Sequence, residues 1–209
     1  MYIKYPRTFH LPWSPGKTND DKVLTSCDCF VNQEVVLTEK RDGENTTIYQ
    51  DYCHARSIDS RSHPSRDWIK KLQSRIGYMI PDGWRICGEN LYARHTLGYS
   101  NLESYFEVFS IWDENNDCLS WDETIIICKE LDLISVPVIW RGIWDEDFIR
   151  SICINTVIQE GYVVRIAKTF KCQDFSSSVA KYVRSGHVQA DNHWMNQVIV
   201  KNKLKIDIE

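Results

Sequence analysis

The sequence predicts an α+β fold. Strand-like runs outnumber helical ones, and the two kinds do not alternate regularly, which argues against a doubly wound parallel sheet. The 209 residues are 43% hydrophobic and 12% aromatic, enough to fill a core. No internal repeat, low-complexity stretch or linker divides the chain, so residues 1–209 read as one domain.

The elements follow in order. The first thirty residues are rich in Pro, Gly, Ser and Asp and read as an extended, looping lead-in. Gly16-Lys17-Thr18 ends like a phosphate-binding P-loop. Leu11 stands where that motif needs its first glycine and no strand precedes it, so the P-loop is rejected. Residues 34–38 and 46–50 read as strands. Pro64-Ser65 opens a helix over 66–78, with Trp68, Leu72 and Ile76 at fourfold spacing on one face. Residues 84–90 and 105–112 read as strands. Ser120-Trp121-Asp122-Glu123 has the form of a capping box, opening a helix that runs to about Leu131. Short strands are expected at 136–140 and 161–166, a helix at 145–154 and a last strand at 198–208.

The formal charge is −4, so any surface that binds nucleic acid must be a local one. No run approaches the roughly 18 apolar residues of a membrane helix. The start, Met1-Tyr2-Ile3-Lys4, lacks a signal-peptide core, and a cytoplasmic protein is expected. Eight cysteines form no Cys-x-x-Cys, and most lie in apolar runs such as Ile125-Ile126-Ile127-Cys128. They read as reduced, buried thiols, and Cys27-x-Cys29 has poor spacing for zinc.

The chemistry-bearing residues begin at Lys40-Arg41-Asp42-Gly43, directly after the apolar run Val35-Val36-Leu37. This presents a lysine at a strand end, with a carboxylate two residues on and a glycine to turn. An amine so placed can attack a phosphorus centre. Four segments follow: Gly88-Glu89-Asn90-Leu91-Tyr92, Tyr105-Phe106-Glu107-Val108-Phe109, Glu160-Gly161-Tyr162-Val163-Val164-Arg165, and Val179-Ala180-Lys181-Tyr182-Val183-Arg184.

In this order, over residues 5–195, the chain resembles the covalent nucleotidyltransferases, which comprise the ATP-dependent ligases of RNA and DNA and the mRNA capping enzymes. Within them it is most similar to the ATP-dependent RNA ligases. Gly88-Glu89-Asn90-Leu91-Tyr92-Ala93 and the segment Tyr5-Pro6-Arg7-Thr8 through His10-Leu11-Pro12 resemble one nick-sealing branch. The resemblance implies a nucleotidyltransferase domain of packed antiparallel sheets flanked by helices, ATP-grasp-like and without an OB-fold. It implies that Lys40 forms a lysyl–AMP from ATP, that AMP passes to a 5′-phosphate end, and that a 3′-hydroxyl then seals the strand.

The resemblance also implies roles. Asp42 and Gly43 shape the loop that holds Lys40, and Arg56 sits near the nucleotide or the bound 5′-phosphate. Glu89 takes a ribose hydroxyl, and Phe106 stacks on adenine. Glu160 holds Mg²⁺ or Mn²⁺, and Lys181 contacts the α-phosphate. A free lysine titrates near 10.4, so only about one in 2,500 is neutral at pH 7. Nearby cations lower that value, and a metal ion, Lys181 and Arg41 are the expected ones.

The chain departs from the family pattern in three places. Val183 stands where the last motif usually carries a second lysine, so Arg184, or Lys168 and Lys171 from the preceding loop, is expected to take that role. Arg165 replaces a lysine and would offer a bidentate phosphate fork. Only residues 185–209 follow the last motif, which leaves no room for an OB-fold. The partner, a nicked or broken RNA duplex that can include DNA strands, is then gripped by the domain's own surface or with an accessory subunit. Arg56, Arg61, Arg66, Lys70, Lys71 and Arg75, with Trp68, form a basic stretch suited to a phosphate backbone. His187 and His193 have no assigned role. A capping guanylyltransferase, a DNA ligase and a non-catalytic protein that binds nucleic-acid ends stand as the other readings.

Overall fold

The structure is a computed structural model and describes residues 1–186 and 198–208. Two open sheets form it. The first holds β1 (Phe9–His10), β12 (Val179–Val183), β10 (Gly161–Ile166), β2 (Glu34–Lys40) and β9 (Val138–Ile143), side by side in that order. Only the β1–β12 pair is parallel. The second has the order β11 (Phe170–Lys171), β7 (Asp117–Cys118), β6 (Phe106–Trp112), β5 (Arg85–Asn90), β3 (Glu44–Ile48) and β4 (Cys53–Ala55), with β8 (Ile134–Ser135) beside β6. This is the α+β class expected, with antiparallel pairing dominant.

The run Val35-Val36-Leu37 is apolar throughout because β2 is covered on both faces. Val35 and Leu37 pack with Tyr162, Val164 and Phe30, while Val36 packs with Trp121 and Val136. Helix α1 (Asp67–Ile76) lays Ile69, Leu72 and Ile76 on the second sheet, against Ile48, Ile86 and Phe106. Ile69 thus takes the place expected of Trp68, whose ring is half-buried 5.5 Å from Tyr105. Helix α2 (Trp121–Glu130) opens on the predicted capping box, with both halves formed between Ser120 and Glu123. Two shorter helices follow, α3 (Glu146–Ser151), capped by Asp145, and α4 (Phe175–Ser178).

Several elements differ from expectation, among them the strand expected at 46–50, which lies at Glu44–Ile48. The strand expected at 136–140 is split by Pro137, which cannot donate to a ladder, into β8 and β9. The helix expected at 145–154 stops at Ser151. Residues 198–208 form no strand; Lys201 and Leu204 make single bridges to Ala93 and Leu102, and Lys205–Ile208 is a 3₁₀ turn. A two-residue strand, β1, does precede Gly16, although Leu11 still excludes a P-loop. All eight cysteines are free; Cys27, Cys87, Cys118 and Cys128 are buried, whereas Cys153 is exposed. Among the described residues no helix is long and apolar enough to cross a membrane.

Gly161 fixes the centre of the first sheet. It pairs with Lys40 of β2 on one side and Val183 of β12 on the other, and a Cβ there would run into the Tyr182 carbonyl. Backbone on both sides leaves nothing flexible to yield. Gly161→Ala is expected to cost about 3 kcal/mol or more. Urea unfolding reads this, and an unchanged midpoint would refute the close approach.

Candidate active site

The chain crosses from the first sheet to the second at Arg41-Asp42-Gly43, between β2 and β3, and Lys40 is the last residue before the crossing. Gly43 is needed there because an added Cβ would come 2.5 Å from the Asn90 carbonyl oxygen. Its N–H points at Glu89 Oε1, 3.2 Å away. The buried Asp42 ties the crossing to the loop after β5. Its Oδ2 accepts the Leu97 N–H at 2.6 Å, and its own N–H donates to the Tyr99 hydroxyl at 2.9 Å.

Lys40 Nζ lies 2.5 Å from Glu160 Oε2, with the Glu160 side chain only 3% exposed. The contact follows from register. Gly161 is the pairing partner of Lys40, so Glu160 leads β10 at the same end of the sheet. Burial draws the Lys40 ammonium down, but Glu160, Glu89 and Asp42 outweigh it and hold the group above its ordinary value. Carboxylates, not cations, therefore dominate around the free amine. Arg41 does not help to lower it, because its guanidinium is spent on Glu107 (2.6 and 3.0 Å) and Glu39 (2.7 Å). Glu89 shares the surplus of negative charge: burial, with Glu160 and Asp42 adding to it, pushes its carboxyl up to about 8 against the pull of Lys40.

Lys181 stands on β12, opposite Val163, which itself pairs with Thr38. Two residues along and two strands over from Lys40, it shares the same face of the sheet, about 12 Å away between backbones. Burial and then the charge of Lys40 pull it below the ordinary lysine value. Arg56, exposed just past β4, belongs to the same cationic side. Its guanidinium is lowered by burial and by Arg7, and it repels Lys181 in turn. The Arg184 N–H donates to the Glu160 carbonyl at 3.0 Å, and its Nε is buried without a hydrogen-bond partner among the described residues.

Other expected residues lie elsewhere. Phe106 pairs with Asn90 and packs with Ile69 and Leu72 on the α1 face of the second sheet, fully buried. Its strand neighbour Glu107 pairs with Glu89 and meets Arg41 on the other face. Strand alternation therefore points Phe106 away from Lys40, and the expected adenine stacking has no support in this arrangement. Arg165 is no phosphate fork: it is buried, and its guanidinium donates to the carbonyls of Leu119, Phe109 and Ile166. Lys168 and Lys171 are exposed beyond Ile166, which pairs with Val35 at the far end of β2. About 20 Å of strand separates them from the Lys40 end, so they do not replace a second lysine. In the basic stretch, Arg66 is engaged by Glu44, Lys70 by Asp67 and Ser62, and Arg75 by Asp132. Arg61 and Lys71 remain exposed; Arg61, Arg66, Lys70 and Tyr52 line a groove of about 210 Å³ between β4 and α1. His187 and His193 lie outside the described residues.

The RNA ligase family model matches residues 33–183, a span that includes Lys40, Arg56, Glu89, Phe106, Glu160 and Lys181. The chain belongs to the RNA ligase family. Its fold is shared by the RNA ligase of Naegleria gruberi. The form solved with pyrophosphate matches at a TM-score of 0.56 and 17% identity, over 79% of this chain and 53% of that one. A variant with AMP and Mn gives 0.55 and 17%, over 77% and 52%. A variant with ATP and Mn gives 0.54 and 14%, over 77% and 52%. The chain thus spans about half the length of these ligases. No curated protein sequence matches it.

Sequence reasoning assigned no role to His10 or Asp21, because neither stands in one of the five motifs. β1 places His10 beside Lys181, its ring 1% exposed and its Nε2 3.4 Å from Asp21 Oδ2. Burial first, then Lys181, pushes His10 down to about 4. Between that value and the ordinary 6.5 of an unfolded chain, the unfolded state binds a proton that folded His10 refuses. Stability is therefore present above pH 6.5 and falls as pH drops toward 4. The stability of the wild type relative to His10→Gln is expected to fall by up to about 3 kcal/mol from pH 7 to pH 4. Urea unfolding across that range measures it, and a constant difference would refute a buried neutral histidine.

Proposed function

We propose that the chain is an ATP-dependent RNA ligase, a single adenylyltransferase domain in which Lys40 carries AMP. One observation carries this reading. Lys40, Glu89, Glu160 and Lys181 come from four distant segments and two sheets, yet they gather at one end of β2. In the first step the neutral Lys40 amine attacks the α-phosphorus of ATP. A P–N bond forms, the bond to the bridging oxygen breaks, and pyrophosphate leaves while the amine's proton passes to solvent. Lys181 offsets negative charge on the α-phosphate. In the second step a 5′-phosphate oxygen takes the adenylyl group and Lys40 departs with a proton. In the third, a 3′-hydroxyl attacks the activated phosphate and AMP leaves.

A divalent ion fits this place. Three acidic side chains face Lys40, and together they outweigh its burial and hold its ammonium above the ordinary value. Among the described residues no three acidic, His or Cys side chains cage an ion by themselves. Glu160 would therefore supply the protein's ligand, with phosphate and water oxygens completing the shell of Mg²⁺ or Mn²⁺. Bound there, the ion draws charge from the phosphate oxygens.

We place the RNA, as a nicked or broken duplex that can include DNA strands, along the cationic side formed by Arg7, Arg56 and the groove beside Arg61 and Lys70. An accessory subunit could share that grip. The test is a sealing assay on matched nicked duplexes, one with RNA and one with DNA at the break. Sealing of the RNA nick with ATP supports the reading, sealing of the DNA nick alone favours a DNA ligase, and labelling by GTP alone favours a capping enzyme. Absence of both sealing and labelling would leave only an end-binding protein.

A further inference from the structure

Lys181 has neighbours on the N-terminal segment that the transfer steps above do not use. β1 runs parallel to β12 and sets His10 directly opposite Lys181. His10 Nδ1 lies 2.8 Å from Ser14 Oγ, which accepts the Val183 N–H at 2.9 Å. The single Ser14 hydroxyl hydrogen can go to Nδ1 or to the Val183 carbonyl at 3.4 Å. The shorter contact is to Nδ1, which assigns the His10 proton to Nε2, on the side of Asp21. Asp21 Oδ2 also accepts from the Thr18 N–H and the Thr18 hydroxyl, at 3.0 Å each. Its other oxygen, Oδ1, lies 3.9 Å from Lys181 Nζ.

Asp21 is thus held by Thr18, with His10 Nε2 3.4 Å from the same oxygen and the other oxygen turned to Lys181. Burial alone would raise its carboxyl; the Thr18 contacts, then Lys181 and His10, outweigh that and keep it ionised. The other charged groups that face Lys181 are Lys40 and Arg56, which repel it, and Glu160. Glu160 is already engaged at 2.5 Å by Lys40. Asp21, like Glu160, is a carboxylate that favours a charged Lys181.

We infer that Asp21, held by Thr18 beside His10, is a positioning residue that keeps Lys181 charged and turned into the cleft until a phosphate takes its place. The 3.9 Å separation suits this, because a loose ion pair is exchanged for a phosphate at little cost. The N-terminal segment is then a working part of the site rather than a lead-in. This inference rests on the ligase reading of Lys40 and Lys181.

The experiment is single-turnover adenylylation with α-labelled ATP and Mg²⁺ on the full chain. Asp21→Asn keeps the shape and the Thr18 contacts but removes the charge. The rate at saturating ATP is expected to fall about tenfold, the range for partners that hold a reacting group in place. The half-saturating ATP concentration and the melting temperature should stay near wild type, and the deficit should deepen as pH rises, because Asp21 favours the charged Lys181. In a Lys181→Arg background, where the charge no longer depends on Asp21, the same change should cost less than about twofold. A wild-type rate in Asp21→Asn, or an equal loss in the Lys181→Arg background, would overturn the inference. If the wild type itself takes no label from ATP, the ligase reading fails instead.

Discussion

Lys40→Ala should abolish transfer of label from α-labelled ATP to the chain, a loss of at least about 10⁴-fold in line with removal of a nucleophile. The wild type should carry an adduct that survives alkali and is released by acid or by acidic hydroxylamine, as a P–N bond requires. Lys181, about 12 Å away across two strands, is too far to substitute. The alanine variant has a weakness as evidence, because it strands the Glu160 carboxylate, 3% exposed, without its partner. Breaking a buried pair from one side costs about 3–5 kcal/mol. Lys40→Arg removes that objection: a guanidinium keeps the ion pair with Glu160 but never sheds its proton to become a nucleophile. It should fold, bind ATP and remain unlabelled. Both variants should still seal a strand supplied with its 5′ end already adenylylated, since the last step does not use the amine. Label at the wild-type level in either variant would sink the assignment of Lys40.

What the sequence made legible was local. Lys40-Arg41-Asp42-Gly43 announces a strand end and a turn through residue types alone, and the structure puts the crossing between the sheets there. The Ser120–Glu123 capping box and the bounds of β10 are likewise written in neighbouring residues. What misled depends on register. Whether Phe106 or Glu107 faces Lys40 turns on one residue of alternation, and β5–β6 carries a register shift between Cys87 and Gly88. Arg165 looks like a free cation until the Leu119 and Phe109 carbonyls, 46 and 56 residues away, are brought to it. The His10–Asp21–Lys181 contact spans 171 residues between His10 and Lys181 and depends on a two-residue strand that no periodicity could signal.

Glu160→Gln separates the counter-ion role that the geometry gives this carboxylate from the metal-ligand role proposed for it, and they predict opposite outcomes. As the partner of Lys40 at 2.5 Å, Glu160 helps keep the amine protonated. If that were its whole function, the glutamine variant would release the amine and speed adenylylation at neutral pH. As the protein's ligand to a divalent ion, it is needed when the α-phosphate acquires charge, and its loss should slow the step by about 10²–10³-fold. The second outcome is expected, for two reasons. Glu160, Glu89 and Asp42 already outweigh burial at Lys40, so acidic groups dominate around the amine. A metal arriving at Glu160 would also compete for the carboxylate and free Lys40 from it, so one exchange would both bind the ion and loosen the nucleophile's proton. Glutamine is close to isosteric, so folding should survive, and unfolding curves check this. The distinguishing measurement is the Mg²⁺ dependence of single-turnover labelling. The half-saturating concentration should rise about tenfold or more in the variant. A faster variant with an unchanged Mg²⁺ dependence would reduce Glu160 to a counter-ion for Lys40 and move the metal to another carboxylate of the cluster.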